Sequence, residues 1–136
     1  MNNPENVKQV AYDLANMYEQ KYGCCSQCVL GALTGGIMAI SCFVGRDFDN
    51  MPDPDGVRFE SFRLGRKLVE RFEEEYGVNG GDCSAVQTKL MGRSYDILRG
   101  ERDEFIANGG HSTICPVVCG NAAKWVVEIL AEEGLI

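Results

Sequence analysis

The sequence predicts an all-α bundle of about five to six helices, and three observations carry that prediction. Apolar residues recur at spacings of three and four through most of the chain. No segment alternates with period two. Gly, Pro and Asp clusters fall between the periodic segments, where helices start and stop. The chain has 136 residues, 45% of them apolar, which is the size of one ordinary domain with enough apolar mass for a core. That balance excludes a disordered chain. We expect residues 1–136 to form a single cysteine-rich helical domain.

Asn3 as N-cap and Pro4 at the first helical position open helix one, which runs to about Tyr22. Its apolar face is Val7, Val10, Ala11, Leu14, Tyr18 and Tyr22, and Gly23 ends it. Helix two starts near Cys25 and runs towards Phe43. No charged residue lies between Cys24 and Gly45, and Gly31-Ala32-Leu33-Thr34-Gly35 spells a small-xxx-small packing motif. Ser26, Gln27, Thr34, Ser41 and the glycines, with no aromatic belt or basic flank, argue against a membrane span. We therefore read a central helix, buried all round, in a protein that is not an integral membrane protein.

Gly45 to Gly56 is a loop rich in Asp and Pro. Helix three follows from about Val57 to Tyr76, with Phe62, Gly65, Val69, Phe72 and Tyr76 on one stripe and a solvated face of Arg63, Arg66, Lys67, Glu70, Arg71 and Glu73 to Glu75. Gly80-Gly81-Asp82 breaks the chain and caps a short helix from Cys83 to about Leu90. A weaker helical segment covers Tyr95 to Ala107. The turn Asn108-Gly109-Gly110 leads to a last helix that starts at Cys115-Pro116 and runs to about Glu133.

The formal net charge is −7, from 20 acids against 13 bases. Such a surface repels phosphate backbones and anionic membranes, so nucleic acid is a poor partner. Met1 to Asn6 has no basic region followed by an apolar one, so it does not read as a signal peptide. Seven cysteines are an odd number that a fully paired extracellular framework cannot use up. The expected location is the cytoplasm.

Those thiols are the outlier of the composition. Cys25-Ser26-Gln27-Cys28 is a C-x-x-C at a helix start, where unpaired amides and the macrodipole favour a thiolate. The spacing of three puts both sulfurs on one face, in reach of a disulfide or a shared metal. Cys83 lies in the first turn of its helix, and Cys115 and Cys119 are one turn apart at the start of the last. Cys25, Cys83 and Cys115 are the candidate catalytic thiols. Cys25, Cys28, Cys83, Cys115 and Cys119 are candidate ligands for Zn or an iron–sulfur centre. Cys42, inside an apolar helix, and Cys24 read as apolar filler. His111 reads as an exposed loop histidine, with a ligand or a base near a thiol as the alternative. Serine-hydrolase, phosphate-loop and dinucleotide signatures are all missing from the sequence.

Cys25-Ser26-Gln27-Cys28-Val29-Leu30, followed by Gly31 to Ile40, resembles the redox-active family named for the signature C_GCAxxG_C_C. The resemblance implies a small, largely helical protein of anaerobic bacteria or archaea, often encoded near transporters, with redox activity or metal binding through four cysteines. Cys25 matches the first of these, Gly31 to Gly35 the glycine element, Cys83 the third cysteine and Cys115 the fourth. Leu30 stands where the second cysteine should precede Gly31. In the family a further helix and a glycine-rich loop separate the first cysteine from that element. Either this member has lost the segment, with Cys28 standing in for the thiol, or the segment belongs between Leu30 and Gly31 and helix two is really two helices.

Two functions follow. In the first, helix-start thiols carry dithiol–disulfide or sulfur chemistry, or hold a metal or iron–sulfur centre. The partner is then a redox or sulfur-transfer protein, linked through the resemblance to a transporter. In the second, the cysteines are filler and the chain is an interaction domain, docking on a partner or forming a homodimer through Gly31 to Gly36. The two readings give a pair of expectations. Cys115→Ser should leave helical content intact because serine caps a helix start well, whereas Cys42→Ser should cost stability by burying a hydroxyl.

Overall fold

A computed structural model describes residues 4–22, 25–46, 49, 51–77 and 82–136. Among them, α1 (Pro4–Tyr22), α2 (Cys25–Val44), α3 (Val57–Tyr76), α4 (Cys83–Met91), α5 (Arg102–Ala107) and α6 (Cys115–Glu132) follow in order. A 3-10 turn covers Ile97–Arg99 and a π-turn covers Gly110–Ile114. The chain is all-α, as its periodicity predicts. Asn3 and Gly23, the expected cap and stop of helix one, lie outside the described residues.

Local chemistry accounts for the boundaries. Asp82 caps α4: its side chain accepts from the Ser84 amide at 2.9 Å and from the Ser84 hydroxyl at 3.1 Å. Gly77 and Gly92 end α3 and α4 in the left-handed conformation, with φ of 63° and 80°. The α3 start is capped from inside the 45–56 segment. Asp53 is buried and accepts from the amides of Val57 (2.7 Å) and Arg58 (3.2 Å) and from the Arg58 guanidinium (2.8 Å). Burial pushes its carboxyl up, but those donors outweigh it and hold the pKa below the usual range.

The central helix is α6, not α2. Helices α1, α2 and α3 all pack on it, and Val118, Ala122, Val126 and Ile129 make a buried stripe along it. Helix α1 lies antiparallel to it. At one end Glu5 and Lys8 sit in the fields of Lys124 and Glu128. In the middle, the Tyr12 ring lies where a Cβ on Gly120 would be 2.7 Å away. At the other end Glu19 meets His111. The helical run Gly110–Glu132 is long and apolar enough to cross a membrane, and half of its apolar 18-residue window is buried inside the protein.

Three expected faces are corrected. Helix α2 is not buried all round: Leu33, Gly36 and Ile40 are buried, while Met38, Cys42 and Phe43 are exposed, because the bundle covers only one side of the helix. Gly36 allows that approach; a Cβ there would lie 2.6 Å from Leu68 and 2.9 Å from Val126. In α1, Val10, Leu14 and Tyr18 face outward. The side turned to α6 runs through Tyr12, Ala15, Asn16 and the buried Glu19 instead. In α3, Phe62 is 64% exposed, and Ser61, Leu64 and Leu68 join Gly65, Phe72 and Tyr76 in the buried stripe.

The charged face of α3 is likewise more than a solvated surface. Arg63 and Lys67 both bind Glu133 beyond the end of α6, and Arg71 reaches Glu128 (3.1 Å) and Glu132 (2.7 Å). Hydrogen bonds from Arg63 and Lys67 pull the Glu133 carboxyl down to about 2.

Candidate thiol site

Helix α4 and the segment after it position Cys83. Its thiol is half-buried at the first turn and borders an open cavity of about 470 Å³ lined also by Asp82, Ser84, Gln87, Tyr95 and Ile97. Gln87 fixes the far wall, because its buried side-chain oxygen accepts the Tyr95 amide at 2.9 Å. Cys115 lies behind that wall. It is buried with Phe105, and Met91, Tyr95 and Ile97 pack against the pair. Cys83 and the Phe105–Cys115 cluster therefore both meet the segment Tyr95 to Ile97; Cys83 lines the cavity and also packs on the main core, and Cys115 is buried.

Cys119 is buried one turn further along α6, near Tyr76. Burial pushes the Tyr76 phenol up to about 12, against the opposing hydrogen bond from Asn121. Residues four apart on a helix hold their Cβ atoms roughly 5–6 Å apart, whereas a disulfide needs about 3.5–4.5 Å. A bond between Cys115 and Cys119 would therefore require the helix to unwind locally.

Two sequence expectations change here. Cys115 does not begin a helix: the π-turn runs straight into α6, Ile114 is already helical, and the Cys115 amide donates to the Gly110 carbonyl. The open amides lie at the π-turn's own start, so the macrodipole argument for a Cys115 thiolate does not apply. Cys42 is exposed rather than core filler. The Cys24 reading lies outside the described residues, and so do the side chains of Cys25 and Cys28, although the backbone places Cys25 at the first position of α2. Helix α2 continues unbroken through Leu30–Gly31. Among the described residues, no three His, Cys, Asp or Glu side chains come together to hold a metal ion.

His111 is not an exposed loop residue. It sits in the π-turn with its Nδ1 3.2 Å from Glu19 Oε1, and its ring stands edge-on to Phe105 with centroids 5.1 Å apart. Gly110 makes this packing possible, since a Cβ there would lie 2.1 Å from the Phe105 ring. Glu19 is 2% exposed, and its Oε2 is buried with no hydrogen-bond partner among the described residues. Nothing in the sequence marks Glu19; only its spacing from Tyr12 and Ala15 puts it on the packed side of α1.

A family model described as "Putative redox-active protein (C_GCAxxG_C_C)" matches residues 4–129. The chain belongs to the C_GCAxxG_C_C redox-active family. No curated protein and no solved structure matches the chain.

Proposed function

We propose that this C_GCAxxG_C_C protein is a dithiol–disulfide carrier in which Cys83 is the entry thiol and Cys115 resolves. The observation that supports this most is the segment Tyr95 to Ile97, which lines the same cavity as Cys83 and packs on the cluster that buries Cys115. The Cys83 thiolate attacks a partner disulfide R–S–S–R, forming a mixed disulfide and releasing one RS⁻. The Cys115 sulfur then attacks the Cys83 sulfur, and the second RS⁻ leaves. Two electrons pass from the protein dithiol to the partner, and the two thiol protons end on the two departing thiolates. The partner is a redox protein or a small disulfide, and an odd count of seven thiols suits a reducing compartment such as the cytoplasm. Cys25 and Cys28 would serve as a second relay pair at the start of α2.

The test is anaerobic incubation with glutathione disulfide, followed by alkylation and mass spectrometry. Wild type should lose the Cys83 and Cys115 thiols and carry no glutathione on either. Cys115→Ser should stop as a glutathione adduct on Cys83, and Cys83→Ser should leave Cys115 unmodified. Wild-type behaviour in both variants would overturn the assignment.

A further inference from the structure

From the Glu19–His111 geometry we infer that His111, oriented by the buried Glu19, takes the proton from Cys115 when its sulfur attacks. This rests on the carrier reading above and adds a base and a positioning residue to it. A buried thiol is a poor nucleophile until it loses its proton, and Cys115 has no helix-start amides to lower that barrier. His111 lies four residues earlier in the same continuous run of helix. Both residues pack on Phe105, His111 edge-on and Cys115 within the buried cluster. With Nδ1–H donating to Glu19 Oε1, His111 Nε2 carries the lone pair and accepts the proton. A nucleophile, a base and a group that orients the base is a recurring arrangement in covalent catalysis.

Glu19 acts through His111 and is a positioning residue. Its carboxylate stabilises the imidazolium as it forms, and it lies on the side of α1 that packs on α6 and the π-turn. Among the described residues, the titratable side chains on those elements are His111 on the π-turn and Cys115, Cys119, Lys124, Glu128 and Glu132 on α6, and of these His111 meets Glu19 at 3.2 Å. Lys124 and Glu128 lie at the far end, opposite Glu5 and Lys8. The proton balance closes within the exchange: Cys115 S–H gives its proton to His111 Nε2, the S–S bond to Cys83 forms, and RS⁻ leaves and takes the proton from the imidazolium.

The experiment follows the second step alone. Cys83 is preloaded as the glutathione mixed disulfide at pH 5, and glutathione release is timed after jumps to pH 6 through 9.5. For His111→Gln and Glu19→Gln, release should slow by about tenfold or more at pH 7, and the gap should close near pH 9.5, where hydroxide ionises the thiol unaided. Equal rates at every pH would overturn the inference, and so would a loss of equal size at every pH, which marks a packing defect. If Glu19→Gln does not fold, as read from its helical dichroism, His111→Gln decides alone, because that side chain is partly exposed. A wild type that releases no glutathione would overturn the carrier reading itself, and this inference with it.

Discussion

Cys42 and Cys115 show how burial, rather than residue type, sets the cost of a substitution. Cys42 is exposed on the open side of α2, so Cys42→Ser should change stability by no more than about 0.5 kcal/mol, contrary to its reading as filler. Cys115→Ser should cost about 1–3 kcal/mol, since it puts a hydroxyl into the apolar cluster of Phe105, Met91 and Ile97 and finds no open amide to cap. Thermal or denaturant melts of the two variants check both values. A costly Cys42→Ser beside a neutral Cys115→Ser would reverse the assignment of these two sites.

Element packing turns on close approaches and on charge. Gly110→Ala places a methyl 2.1–2.4 Å from three carbons of the Phe105 ring, inside the space any real contact allows. It should destabilise by about 1–3 kcal/mol and disturb the π-turn that carries His111; a melt as stable as wild type would show that the ring moves freely. The α3–α6 charge link is a pH prediction. Its Glu133 carboxyl is held at about 2, below the ordinary value of 4.5. A depressed folded pKa means that the stability it contributes is complete above about pH 4.5 and is lost as pH falls towards 2. Wild type should therefore exceed Glu133→Gln in melting temperature at pH 6, with the difference shrinking through that window and in 1 M salt. A difference independent of pH would assign the effect to packing instead. Most helix positions were legible in the sequence, because Pro4, Asp82 and the glycines act locally. The buried faces were less so. In α1 the apolar stripe Val10–Leu14–Tyr18 points away from α6, because Gly120 accepts the flat Tyr12 ring and Glu19 takes an interior place. Periodicity gives each helix an apolar side but does not say which side a partner will cover.

At the scale of the whole molecule, α6 gathers what the sequence leaves scattered. It carries Cys115 and Cys119, continues from the π-turn that holds His111, packs against α1 with its Glu19, and backs the wall behind Cys83. Cys83 and Cys115 were readable as candidates from the sequence, since each reads there as a helix start, although only Cys83 proves to be one. Their common border at Tyr95 to Ile97 was not, because it depends on a tertiary contact between segments about twenty residues apart. The most direct measurement is peptide mapping of the disulfides formed when the anaerobically purified protein is oxidised by glutathione disulfide and then reduced again. A Cys83–Cys115 bond that forms, disappears on reduction and leaves helical dichroism unchanged is the predicted result. An oxidised protein in which Cys83 and Cys115 both remain thiols would contradict the account.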